Sequence, residues 1–249
     1  MKLIHKFKST NFNSRKNGKI LFIIIHYTAL KNHREAISYL CNTKNKVSSH
    51  YLISQDGDIY NLVDEKKRAW HAGLSFWQGY EDLNSSSIGI ELDFSKNKNN
   101  NEYSKKMIKS LISLLSSLKE KYHIKNSNIL GHSDVAPFRK KDPGPKFPWQ
   151  ILIRNNLAIN PNDKNPFKIQ NVKKWLIYNK INTNKKIIIF ILSCIGYDTF
   201  NIKDNNYLIS KIIIAYQTRF IKSNITGKAD DVTVNILIKH FLNYLLTKN

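Results

Sequence analysis

Ser87-Ile88-Gly89-Ile90-Glu91-Leu92, then the run 102–122, then Asn128-Ile129-Leu130-Gly131 form the stretch on which the fold turns. The first piece is short and apolar, and reads as a strand. The second carries apolar residues at 103, 107, 108, 111, 112, 115, 118 and 122, a stripe with helical period. The third is again a short strand. Strand, long helix, strand predicts a parallel crossover, which is right-handed in nearly every known sheet. The fold class expected is therefore α/β, with a mixed central sheet flanked by helices.

Working outward, Leu21-Phe22-Ile23-Ile24-Ile25-His26-Tyr27 reads as a buried central strand. A helix is expected over 33–41, where Ala36, Ile37, Leu40 and Cys41 share a face. His50–Ile53 and Ile59–Val63 are strand-like and flank Asp56-Gly57, a hairpin signal because both residues tolerate positive φ. Together these define a first domain over 1–154. Residues 155–167 are polar, contain Pro161 and Pro166, and read as a linker. A small all-α domain, three-helix in type, is expected over 168–249, from helical patterns near 170–179, 186–195, 207–222 and 232–246. Asp230 or Asp231 is placed to cap the last of them.

A chain of 249 residues with 41% hydrophobic and 11% aromatic content can bury a full core. Its formal charge of +22 calls for an anionic partner: nucleic acid, a membrane surface or a cell-wall polymer. Lysine is spread along the whole chain with no compact arginine stripe, which argues against specific nucleic-acid binding. Cys41 and Cys194 make no disulfide framework and read as buried free thiols. The N-terminus lacks the apolar core and cleavage site of a secretion signal, and no apolar run is long enough to span a bilayer.

The chemistry gathers around three places. His26 ends the central strand, where ligands collect in open α/β sheets. His132 follows another short strand, within Gly131-His132-Ser133-Asp134, and Asp142 lies in Lys141-Asp142-Pro143-Gly144-Pro145. Two imidazoles and one carboxylate are a set that holds zinc with a fourth position open to water. Spacing alone does not choose between Asp134 and Asp142. Glu91 stands in an apolar strand, where a carboxylate is costly unless paired or near a metal. It is either a general base or a residue of an edge strand facing water. Lys140 is a candidate for stabilising an oxyanion, or one solvated lysine among many. Trp70-His71-Ala72-Gly73 and Trp77 suggest either the wall of a groove or a core tryptophan with a surface histidine.

Taken in order, these blocks resemble the zinc-dependent N-acetylmuramoyl-L-alanine amidases of the type-2 amidase and peptidoglycan-recognition superfamily, in its anhydro-muropeptide branch. The blocks are Ile25-His26-Tyr27-Thr28, Ser49–Ile53, Asp56-Gly57, Ala69–Gly73, Asn84 with Ser87–Glu91, and Gly131–Pro137 with Lys140, Asp142–Pro145 and Phe147–Trp149. The resemblance covers about 20–150. It implies one zinc ion per chain on His26, His132 and Asp142, so it selects Asp142 over Asp134, which becomes a loop-ordering residue. It also implies Glu91 as general base and Lys140 as the transition-state cation. Some relatives place a tyrosine where Ser49 stands, and that departure favours Glu91. Tyr27, His50, Trp70, His71 and Asn84 are then expected near the substrate, with His50 alternatively structural. Gly196-Tyr197-Asp198, Ala215–Phe220 and Thr226–Asp230 resemble a three-helix peptidoglycan-binding domain.

The expected activity is hydrolysis of the amide between (1,6-anhydro-)N-acetylmuramic acid and L-alanine, with peptidoglycan or anhydro-muropeptides as partners. A non-catalytic peptidoglycan-recognition module and a basic nucleic-acid-binding protein are the alternatives. The expected location is the periplasm or cell envelope, with the cytoplasm as alternative. Because every proposed catalytic residue precedes the linker, a chain ending near Asn160 is expected to keep its activity.

Overall fold

The computed structural model describes residues 2–16, 18–95, 102–163, 168–200 and 202–246. The chain forms two compact units, and neither is one continuous stretch. The first comprises Met1–Ser75, Glu81–His132 and Asp142–Ile159, and the second comprises Phe76–Tyr80, Ser133–Lys141 and Asn160–Asn249.

In the first unit the strands are β1 (Leu3–Ile4), β2 (Phe12–Ser14), β3 (Phe22–Tyr27), β4 (Tyr51–Ile53), β5 (Ile59–Asn61), β6 (Lys67–Ala69), β7 (Ser87–Leu92) and β8 (Ile129–Gly131). Among the described residues they form a six-stranded sheet in the order β1-β5-β4-β7-β3-β8, and a two-stranded β2-β6 ribbon. Strands β4, β7, β3 and β8 run parallel, and β5 turns back against β4. The mixed sheet expected from the sequence is present. The crossover from β7 to β8 passes over β3, so the two strands are second neighbours. The hairpin between β4 and β5 turns at Gly57, with φ +88°, where a Cβ would meet Ser110 Oγ at 2.9 Å.

Alternation along the strands assigns the two faces of the sheet. Ile23, Ile25, Ile88, Ile90 and Ile129 pack against α3 (Lys105–Tyr122) through Met107, Leu111, Leu114, Leu115 and Leu118. The long helix begins at Lys105, two residues after the first apolar position of its stripe, Tyr103. Ser104 caps it, its Oγ accepting from the Met107 N–H at 3.1 Å, and Tyr103 stands outside the helix. On the other face, Leu52, Tyr60 and Leu62 pack against α1 (His33–Cys41) through Ala36, Ile37 and Leu40. One helical turn each is made by α2 (Leu83–Ser86) and α4 (His132–Val135), and α5 (Trp149–Arg154) adds Trp149 and Leu152 to the α3 core.

The second unit contains four helices among its described residues: α6 (Ile169–Tyr178), α7 (Asn184–Ile195), α8 (Asn206–Phe220) and α9 (Asp231–Leu246). These match the helical patterns of the sequence, one more than a three-helix domain. Asp230 is the residue that caps α9, accepting from the Thr233 N–H at 2.8 Å. Of the expected linker, residues 164–167 lie outside the described residues. Cys41 and Cys194 are not disulfide-bonded and are half-buried rather than buried, each lying near the end of its helix. No described helix is long and apolar enough to cross a membrane.

Candidate functional site

The parallel strands β3, β7 and β8 all end on one edge of the sheet, and the chemistry-bearing residues meet there. His26 is the fifth residue of β3, and His132 follows β8 directly. Asp142 arrives in a tight turn supported by Tyr103, whose hydroxyl donates to the Pro143 carbonyl at 2.7 Å. His26 Nδ1, His132 Nδ1 and Asp142 Oδ2 form a nearly equilateral triangle, with edges of 2.9, 3.0 and 3.2 Å. All three residues are buried.

The ring protons fix what this triangle can hold. His132 Nε2 lies 3.1 Å from the Ala72 carbonyl, which can only accept, so a neutral His132 ring carries its proton on Nε2 and turns its Nδ1 lone pair into the triangle. His26 Nε2 lies 3.0 Å from His71 Nδ1. Burial holds His71 far below the usual imidazole range, so that ring is neutral. Asp142 supplies a carboxylate oxygen, an acceptor when ionised. Acceptor orbitals thus converge at about hydrogen-bond distance. A shared proton or a cation must lie between them. Ligand atoms of a tetrahedral zinc with bonds near 2.0 Å stand about 3.3 Å apart. The triangle is therefore within a few tenths of an ångström of that size.

Glu91 is paired in register with His26 on the neighbouring parallel strand. Matched residues of parallel strands point to the same face, and the strands lie about 4.8 Å apart. Glu91 and His26 therefore share the face opposite α3. Strand β7 lies between β4 and β3, so the edge-strand reading of Glu91 does not hold.

Of the residues expected near substrate, Tyr27 and Trp70 are half-buried. Burial, then the Asp142 charge, raise the Tyr27 hydroxyl, and Trp70 Nε1 donates to Asn13 Oδ1 at 3.1 Å. His50 and Asn84 are buried, and His71 is half-buried with its ring against Gly89. His50 is fully buried. Its Nδ1 accepts from the Gly89 N–H at 3.0 Å, which leaves Nε2–H to donate to the Lys67 carbonyl at 3.0 Å. Burial and then the Arg15 charge push it down to about 3. Asn84 Oδ1 accepts from the N–H groups of both His71 and Ala72, at 2.9 and 2.7 Å. The His71 ring lies against Gly89 so closely that a Cβ there would meet it at 2.4 Å. Only glycine admits the ring.

Lys140 is half-buried in the segment 133–141 of the second unit, where its N–H donates to the Ala136 carbonyl at 3.0 Å. In that unit Asp134 accepts from Tyr197 Oη at 2.8 Å and from Arg219 Nη1. Trp77, expected in a groove wall, is buried there with its ring 4.9 Å from that of Tyr197. Three contributors to the first unit's site escaped the sequence reading. Tyr103 was one apolar position in a helical stripe, and Ser87 one residue of a strand. Arg15 donates to the carbonyls of Glu65, Asn84, Ser85 and Ser87, and nothing in its neighbours announces it.

The family described as N-acetylmuramoyl-L-alanine amidase matches residues 16–145. The chain is 34% identical over 233 residues to the N-acetylmuramoyl-L-alanine amidase AmiD of Escherichia coli (strain K12), a match covering 86% of this chain and 80% of that one. It is 43% identical over 103 residues to the 1,6-anhydro-N-acetylmuramyl-L-alanine amidase AmpD of Enterobacter cloacae, covering 41% of this chain and 54% of that protein. Among solved structures, E. coli AmiD in complex with the substrate anhydro-N-acetylmuramic acid-L-Ala-D-gamma-Glu-L-Lys aligns with TM-score 0.76 at 28% identity, over 98% of this chain and 95% of that one. AmpDh3 from Pseudomonas aeruginosa in complex with anhydromuramic pentapeptide aligns with TM-score 0.75 at 28% identity, over 94% and 95%.

Proposed function

Because the chain belongs to the N-acetylmuramoyl-L-alanine amidase family, we propose that it hydrolyses the amide between 1,6-anhydro-N-acetylmuramic acid and L-alanine, with one zinc ion held by His26, His132 and Asp142. The observation that carries the metal is the triangle itself, two imidazole nitrogens and a carboxylate oxygen within 3.2 Å of one another. Zinc in such a site lowers the pKa of a water to about 7 and polarises a carbonyl.

The chain's own residues supply the proton transfers. Glu91, on the same face as His26, takes the proton of the attacking water and returns it to the departing L-alanine nitrogen. Lys140 offers its ammonium to the oxygen that gains charge. The anhydro form is favoured because the substrate named for AmiD and the molecule in complex with AmpDh3 carry it. The domain reading is a zinc amidase domain over 1–154, a linker over 155–167 and a wall-binding helical domain over 168–249. The formal charge of +22 suits an anionic wall polymer, and we place the reaction in the periplasm or cell envelope.

The test is to incubate the zinc-loaded chain with anhydro-muropeptides and identify the products by mass spectrometry. Free stem peptide beginning with L-alanine and free anhydro-sugar are expected. Binding without release of peptide would make the chain a recognition module and overturn the reading.

A further inference from the structure

Both candidate histidine ligands lean on the same two consecutive residues. His132 Nε2 meets the Ala72 carbonyl, and His26 Nε2 meets the ring of His71. The protons along the second path can be placed from its far end. Ser87 Oγ donates to the Leu83 carbonyl, and a carbonyl has no proton to give back. The Ser87 lone pair is therefore what His71 Nε2 meets at 3.3 Å, so His71 carries its proton on Nε2 and donates it there. His71 Nδ1 is then an acceptor and takes the Nε2 proton of His26. That leaves the His26 Nδ1 lone pair aimed into the triangle, toward His132 Nδ1 and Asp142 Oδ2. The main chain of His71 and Ala72 is held by one group, the Asn84 Oδ1 that accepts from both N–H groups.

We propose that His71 and Ala72, pinned by Asn84 and terminated by Ser87, form a bracket that sets the ring orientation and tautomer of both histidines, with His71 a positioning residue rather than a substrate contact. The bracket rests on reading the triangle as a metal centre. An outer partner that fixes a ligand's tautomer is worth roughly 10–100-fold in metal affinity. A single asparagine here governs two such partners.

The experiment measures zinc affinity by chelator competition, and the melting temperature of metal-free protein, for the full chain and its variants. His71→Phe keeps a planar ring but removes the acceptor, and zinc affinity should fall by about 10–100-fold. His71→Asn places Oδ1 where Nδ1 stood and should recover most of that loss. Asn84→Leu should weaken zinc more than His71→Phe, and Asn84→Asp, which keeps both acceptor bonds, should weaken it less. If His71→Phe does not fold, Ser87→Ala removes the terminus of the path with little change in volume and should weaken zinc by a smaller factor. Wild-type affinity in His71→Phe or, failing that variant, in Ser87→Ala would overturn the bracket alone. So would a His71→Asn as weak as His71→Phe. A wild-type chain with no zinc affinity would overturn the metal-centre reading and the bracket with it.

Discussion

Arg219 donates to the carboxylate of Asp134, 85 positions earlier in the chain, with the two side chains only 4% and 1% exposed. Asp134 stands two residues after His132 and eight before Asp142, inside the segment that joins those two residues in sequence. Removing one member of a buried, hydrogen-bonded ion pair leaves a charge in a poor environment and costs about 3–5 kcal/mol. Arg219→Leu should lose about that much stability in urea denaturation. Tyr197→Phe, which removes one hydrogen bond to a charged acceptor, should lose about 1.5–3 kcal/mol. A loss below about 0.5 kcal/mol in Arg219→Leu, the size of an ordinary surface change, would mean the pair is not held as described.

The same relationship changes what a truncated chain should do. Every proposed catalytic residue precedes Asn160, yet residues 133–141, Lys140 among them, belong to the unit that contains Tyr197 and Arg219. A chain ending at Asn160 should therefore lose most of its turnover and show rapid hydrogen exchange over 133–141. Turnover close to that of the full chain, with slow exchange there, would show that the segment keeps its own shape.

Metal dependence separates the proposed mechanism from any protein nucleophile. A strong chelator should abolish release of stem peptide, and added zinc should restore it. His26→Ala, His132→Ala and Asp142→Ala should each lose bound zinc, because a site of three protein ligands has no spare one. Full turnover in metal-free protein would exclude the mechanism.

Glu91→Gln keeps shape and hydrogen bonding but cannot accept a proton. Turnover should fall by roughly 10²–10⁴ while zinc content stays near one per chain. Lys140→Ala should also keep zinc and slow the reaction by about 10²–10³, the effect of losing one oxyanion donor. Loss of zinc in Glu91→Gln would make Glu91 a ligand. Undiminished turnover with zinc in place would remove it from the chemistry.

Acid should destabilise the chain through buried imidazoles. His240 is pushed from about 6.5 down to about 3, first by burial and then by the Arg219 charge. The unfolded chain binds that proton below pH 6.5 and the folded chain only near pH 3. Stability therefore falls as pH drops between those values, by about 1.4 kcal/mol per unit for each such group. Urea titrations from pH 6 to pH 4 should show this slope, and His240→Gln should make it shallower by about one group's share. An unchanged slope would mean that His240 is free to protonate in the fold.

The strands and helices were legible because their periods differ: Ile23 and Ile25 alternate toward α3, while Met107, Leu111, Leu114 and Leu118 recur at helical spacing. The union of His26 with Asp142, 116 positions apart, was not legible from spacing and came through the family resemblance. The roles of His50, His71 and Asn84 were hidden for a different reason. Their partners are the main-chain groups of Gly89, Lys67, Ala72 and Leu83, or side chains that those groups orient, and a carbonyl leaves no mark in a sequence. The interleaving of 76–80 and 133–141 with the C-terminal helices was hidden because a reading along the chain divides it at linkers, whereas these segments join that unit from within the first domain's stretch of sequence.

The pairing of Glu91 with His26 also bears on how the chain reaches its fold. A slip of β7 by one position would send Glu91 to the α3 side, among Ile23, Ile25 and Leu111, and turn Ile90 toward the site. A bare carboxylate in that apolar layer costs several kcal/mol. Misregistered sheets are therefore penalised by the residue proposed to carry the proton, and Glu91→Leu should fold with lower fidelity even though it is the more apolar chain.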